Sequence, residues 1–175
     1  MVRGKLSKKV KVAIEDIAYC GGCEVAIADL GEDLLRLLQE KIELVYAPIL
    51  MSSREYGPVD VAFVIGAVRN EHDLKLVKRA RENSKVLVAC GSCSCFGGIP
   101  SLANMYGKVE LLNNAYKNAP SVVKAGVPSS NVPGLLEKVL PLSEHVKVDY
   151  YIPGCPPPPP LLKEAITTLL KRLEV

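Results

Sequence analysis

Along the first half of this chain, apolar positions switch repeatedly between two periods. VKVAIEDIAY, residues 10–19, begins as an alternation and predicts a strand that ends just before Cys20. CGG breaks it, and EVAIADLGEDLLRLLQEK then places Ile27, Leu30, Leu34, Leu37 and Leu38 at helical spacing. That spacing predicts one helix from Glu24 to about Lys41, running through Gly31. IELVYAPIL, 42–50, predicts a second strand. VDVAFVIGAV, 59–68, predicts a third, apolar without interruption as a strand covered on both faces must be. HDLKLVKRARENS carries Leu76, Val77 and Ala80 in helical register, and KVLVAC, 85–90, is a fourth strand.

The pattern loosens over 99–147. LANMYGKVELLNNAY reads as helical, and APSVVKAGVPSSNVPGLLEK is rich in turn residues, an excursion over the rim of a sheet. VDYYIPGC, 148–155, predicts the last strand. PLLKEAITTLLKRLEV closes the chain with apolar positions at 161, 162, 165, 166, 169, 170 and 173, an amphipathic helix with Pro160 near its first turn. Strands alternating with helices predict an α/β fold: a mostly parallel sheet with helices on both faces, since parallel strands need crossovers.

Length and charge narrow this picture. A chain of 175 residues, 49% apolar and 23% charged, suits one folded domain, read here as 10–175 behind a basic arm over 1–9. The net charge of +3 is more than matched by Arg3, Lys5, Lys8, Lys9 and Lys11, so the excess is local and points to no nucleic acid. No apolar run approaches the roughly 20 residues of a membrane span, and no secretory signal opens the chain, so a cytoplasmic location is expected. Neither GxGxxG nor a phosphate-cradling GxxxxGKS/T is present, which argues against a nucleotide site. PPPPP at 156–160 reads as a stiff segment that starts the last helix. His72 and His145 stand apart from any ligand pattern.

Chemistry enters with six cysteines. Cys20 and Cys23 follow the first predicted strand, Cys90, Cys93 and Cys95 lie at the end of the fourth, and Cys155 follows the last. In a parallel sheet these carboxyl ends share one edge, where open α/β folds bind their ligands. Cytosolic thiols stay reduced, so metal ligation or redox chemistry outweighs disulfides. CxxC alone suits zinc, an iron–sulfur cluster or a dithiol. A dithiol leaves four cysteines unexplained. Zinc knuckles supply close pairs of ligands, whereas one pair here is joined by widely separated single cysteines. The glycines at 21–22, 91, 97–98 and 154 favour a larger guest whose sulfides accept backbone hydrogen bonds. Glu24 beside Cys23 is either a carboxylate favoured by the start of a helix or a proton carrier, and Glu15 and Asp16 are similarly ambiguous.

The ordered set CGGCE (20–24), GSCSCFGGIP (91–100) and PGCPPPP (153–159) resembles the small subunit of nickel–iron hydrogenases and its relative, the 20-kilodalton cluster subunit of respiratory complex I. The resemblance covers about residues 10 to 173. It implies a flavodoxin-like domain holding one proximal 4Fe-4S cluster on Cys20, Cys23, Cys93 and Cys155, because only Cys93 stands four positions before the GG pair. It further implies an electron-transfer subunit, not catalytic alone, that serves a large subunit, nickel–iron or otherwise, together with further iron–sulfur or flavin subunits. CGGC, in place of the two adjacent cysteines typical of the complex I branch, favours the hydrogenase branch. GCEVAIAD is similar to the viologen-reducing and deazaflavin-reducing archaeal types. Only 20 residues follow Cys155, without a further cysteine, so onward clusters are expected on another subunit or the branch is a shorter one. On this reading Cys90 is a small core residue, and Cys95 either packs or tunes the cluster. The alternative is a zinc- or cluster-bearing structural subunit of a related complex.

Overall fold

A computed structural model describes residues 9–52 and 55–173 of the chain. Five parallel strands form its central sheet: β1 (Val10–Asp16), β2 (Ile42–Tyr46), β3 (Val59–Ile65), β5 (Ser84–Cys90) and β7 (Tyr150–Ile152). Their spatial order is β2-β1-β3-β5-β7, the flavodoxin-like order for five successive sheet strands. Register aligns the strand ends. Asp16 pairs with Ile65, Ile65 with Cys90, and Cys90 with Ile152, so one row of residues marks the carboxyl edge.

Both faces of the sheet are covered, which explains the unbroken apolar runs in β1 and β3. Val12, Ile14 and Phe63 face Ile27 of α1 (Gly22–Ala28) and Leu162, Ile166 and Leu169 of α6 (Pro159–Arg172), with Leu34 and Leu38 of α2 (Glu32–Glu40) half-buried alongside. Ala13, Ala62, Val64 and Leu87 face the other way, against Val77 and Ala80 of α3 (Glu71–Glu82). The Asn70 side chain caps α3 by accepting the Asp73 N–H at 2.8 Å.

Several expected elements are shorter or divided. The helix predicted over 24–41 is two: the first ends at Ala28 with Asp29 as its cap, and Gly31, at a φ of +56° that favours glycine, redirects the chain into the second. The first strand stops at Asp16, where β3 stops, and beyond it Ala18 makes only an isolated bridge to Ala67. The second ends at Tyr46, two residues before Pro48, which has no N–H to give a ladder. The segment 59–68 leaves the sheet after Ile65, and Val68–Asn70 forms β4, antiparallel to β6 (Leu135–Leu140). β6 lies in the region read as turn-rich. The helix expected over 102–116 is broken at Gly107 into a 3-10 helix, Ile99–Met105, and α5 (Lys108–Asn113), followed by a π-helical turn, Asn114–Asn118. A five-residue helix, α4 (Ser92–Phe96), was not expected. Of the basic arm only Lys9 is described, and its Nζ donates to Leu38 O at 2.8 Å. No helix among the described residues is long and apolar enough to cross a membrane.

Candidate functional site

Three loops converge at the carboxyl edge. Cys20 follows β1, and Cys23 lies buried in the first turn of α1. Cys93 sits half-buried in α4 just after β5, and Cys155 lies exposed after β7. The second and third loops are stitched together by main-chain bonds: Gly91 N–H donates to Ile152 O at 2.8 Å and Ser92 N–H to Gly154 O at 2.7 Å. The first loop packs against both. A Cβ built on Gly91 would stand 2.4 Å from Cys23 Sγ and 3.7 Å from Gly154 O. A Cβ on Gly22 would stand 3.5 Å from Cys20 Sγ and 4.0 Å from Pro156 Cδ. A Cβ on Gly98 would lie 2.9 Å from Cys93 Sγ. Glycine therefore lines the wall where the sulfurs lie.

The turn that carries Cys93 is held from within. Ser94 is fully buried, and its hydroxyl lies 2.7 Å from Cys90 O and 3.0 Å from Gly91 O, pinning α4 to the end of β5. Gly97 N–H donates to Cys93 O at 2.9 Å.

These thiols share one electrostatic environment. Burial, followed by the negative charges that Cys93, Cys20 and Cys155 would carry, pushes the Cys23 thiol up to about 12. Burial raises Cys93 as well, and Cys155 and Cys20 add to the effect. A cationic guest that displaces the protons of Cys23 and Cys93 would relieve both their burial and the repulsion from neighbouring thiolates. A lone tetrahedral zinc, with Zn–S near 2.3 Å, would need sulfurs within about 3.8 Å of each other. Among the described residues, no group of three or more His, Cys, Asp or Glu is arranged so that it could hold a metal ion as it stands. Thiol donors on three loops, with glycines leaving room for bulky sulfides, would suit a metal–sulfur group.

Cys90 and Cys95 are placed differently. Cys90 is fully buried in the α6-side core, paired with Ile65 and Ile152. Cys95 is buried in the opposite core, and its Sγ lies 3.4 Å from Ala89 O.

A polar group borders the cysteines. Tyr19 Oη donates to Glu24 Oε2 at 2.6 Å, so Glu24 is held by a side chain as well as by the start of α1. Both Asp16 carboxyl oxygens are buried without a donor, and burial, followed by Glu24 and Glu15, raises Asp16 to about 8. Glu15, on the opposite face, accepts from Arg79 Nη2 at 2.6 Å, and the Arg79 guanidinium stacks on the rings of Tyr46 and Tyr56. The parts played by Tyr19, Ser94 and Arg79 were not anticipated from the sequence; no spacing rule links them to the groups they touch. His72 opens α3, and His145 follows a 3-10 turn at Leu142–Glu144, with its Nε2 buried and unpartnered.

Comparison with known proteins agrees with this architecture. The chain is 44% identical over 162 residues to an F420-non-reducing hydrogenase vhu subunit of Methanocaldococcus jannaschii, covering 92% of this chain and 56% of the relative. It is 37% identical over 153 residues to the delta subunit of the NAD-reducing hydrogenase HoxS of Cupriavidus necator, covering 85% of this chain and 73% of that one. A relative from Archaeoglobus profundus, 37% identical over 167 residues, is named as an iron-sulfur subunit of an F420-non-reducing hydrogenase; the match covers 85% of this chain and 52% of that one. The chain thus spans about half the length of several curated relatives it matches. Among solved structures, a chain of an NAD+-reducing [NiFe]-hydrogenase in the H2-reduced state superposes with a TM-score of 0.90 at 32% identity, covering 94% of this chain and 93% of that one. A chain of the Ni-Fe-Se hydrogenase from Desulfomicrobium baculatum, 17% identical with a TM-score of 0.64, shares the fold over 95% of this chain and 63% of its own. The characteristic pattern of the NADH ubiquinone oxidoreductase, 20 Kd subunit family matches residues 20–169, from the first cysteine of the site into the last helix, and the chain belongs to that family.

Proposed function

We propose that this chain is the electron-transfer subunit of a hydrogenase-type oxidoreductase in the cytoplasm, holding one 4Fe-4S cluster on Cys20, Cys23, Cys93 and Cys155. The observation that carries this reading is the close approach of Gly91 to Cys23 Sγ: a Cβ added to Gly91 would stand 2.4 Å from the sulfur, so no side chain fits where the loops meet. When bound, such a cluster takes up and gives back a single electron. The chain's own residues do the rest. Four cysteines from three loops fix the group at the sheet edge, and the wall made by Gly91 and Gly98 lets main chain approach its sulfides. Ser94 holds the turn that aims Cys93.

The partner is a large subunit carrying the reacting metal centre, with further iron–sulfur or flavin subunits beyond it. An exposed apolar ridge supports this: Phe96, Ile99, Leu102, Met105, Tyr106 and Val109 all lie open to solvent within the segment that follows Cys93. Such a ridge on a folded domain is ordinarily covered in its assembly.

Anaerobic purification of the chain with its natural partners, followed by iron, zinc, nickel and sulfide analysis and low-temperature electron paramagnetic resonance, tests this reading. Four irons on this chain and a signal on reduction are expected, with the reacting metal in the co-purified subunit. Zinc without iron would leave a structural subunit instead.

A further inference from the structure

Against Tyr19, the residue before Cys20, lies a cleft of about 320 Å³, lined by Ala18, Tyr19 and Arg69 on one side, Ala103, Tyr106 and Leu111 on another, and β6 from Leu135 to Val139 on the third. Its two longer walls are pinned apart. At one end the Asn104 side chain acts as a strand would, donating to Val139 O and accepting from Val139 N–H, both at 2.8 Å. At the other, Lys108 Nζ donates to Leu135 O at 3.3 Å and pairs with Glu137. A cleft braced at both ends cannot collapse onto its half-buried floor of Leu111 and Leu136, so it is pre-organised for an occupant.

The charge of the lining identifies the occupant's chemistry. Arg69, Lys108 and Lys138 border the cleft against a single carboxylate, Glu137, which Lys108 already engages. Arg69 meets Asp73 through Nε at 3.2 Å, and its side chain remains half exposed. The Lys138 side chain has no hydrogen-bond or ion-pair partner among the described residues. Tyr106 belongs both to the cleft and to the exposed apolar ridge, so cleft and ridge form one continuous surface.

We propose that this cleft receives an acidic segment of the large subunit, one that seats an apolar side chain on Leu111 and Leu136 and brings a carboxylate against Arg69 and Lys138. The inference rests on the electron-transfer reading above and adds the chemistry of the docking segment. Seated there, the partner would cover Tyr19 and the approach to Cys20, while the positive rim would draw it in before contact.

The test uses the full complex, with Lys138→Glu compared with Lys171→Glu, which makes the same change in net charge on α6. Affinity for the large subunit is measured across a range of salt. Lys138→Glu is expected to weaken association about tenfold at low salt, with the difference shrinking as salt screens the rim, while Lys171→Glu changes nothing. Tyr106→Ala, which removes a wall without altering charge, is expected to weaken binding equally at all salt concentrations. Equal affinity and salt slope for Lys138→Glu and the unaltered chain would overturn the proposal, as would equal effects from the two lysine changes. Failure of the unaltered chain to hold iron or a large subunit would instead sink the electron-transfer reading.

Discussion

The main chain of Gly91 passes so close to Cys23 Sγ that a methyl group on Gly91 would sit 2.4 Å from the sulfur. Gly91 also holds φ +89°, which an L side chain rarely adopts. Gly91→Ala therefore combines backbone strain of about 1–3 kcal/mol with rotation of the Cys23 sulfur away from its neighbours. Iron bound per chain is expected to fall by at least half, while the chain still folds. Gly126→Ala, where an added Cβ meets nothing within 4 Å, is the matched control and should retain its iron.

Cys93 and Cys95 stand two residues apart on α4 yet face different surroundings: Cys93 is near Gly98 and the other site thiols, whereas Cys95 is buried against Ala89 and Leu142. Cys93→Ser is expected to abolish the reduced-cluster signal and most bound iron and sulfide. Cys95→Ser should keep both, with a shift in reduction potential at most. Loss of iron in Cys95→Ser with retention in Cys93→Ser would reverse the ligand assignment.

Much of this site was legible because buried parallel strands are written as continuous apolar runs, so each cysteine could be placed at a strand end. VAFVI and VLVAC left little choice. The convergence of those ends then followed from topology. What could not be read was whatever depends on partners remote in sequence. The three-residue strand VRN has no period of its own and is defined by pairing with Leu135–Leu140. Arg79 is 64 residues from Glu15, and its position on α3 gave no sign of the partner. The helix across Gly31 failed for a local reason: apolar spacing continues through the glycine, but the backbone turns there.

The Arg79–Glu15 pair should matter to stability and not to cofactor loading. Glu15 is 1% exposed, and burial raises its pKa despite the opposing pull of Arg79. Removing the cation strands a buried carboxylate, which in a fully buried pair costs about 3–5 kcal/mol. Arg79 keeps 35% of its side-chain exposure, so solvent screening trims the expected loss for Arg79→Ala to about 2–3 kcal/mol. Arg79→Met with Glu15→Gln should recover part of it. Urea midpoints of the three forms check this, with iron content unchanged throughout.

Asp16 gives the chain a pH dependence of defined sign. Its carboxyl is pushed up to about 8 by burial first, then by Glu24 and Glu15, against an unfolded value of 3.8. Between those values the folded chain holds a proton that the unfolded chain has released, so stability falls as pH rises. The contribution is fully present below about pH 4 and is lost as pH climbs through about 8. Urea midpoints of the cofactor-free chain should therefore decline from pH 5 to pH 8. Asp16→Asn, which keeps the shape and supplies a donor facing Glu24, should flatten that decline and be the more stable form at pH 8. A parallel decline in both forms would place the titration elsewhere, and a midpoint that rises with pH in the unaltered chain would mean that Asp16 is ionised in the folded state.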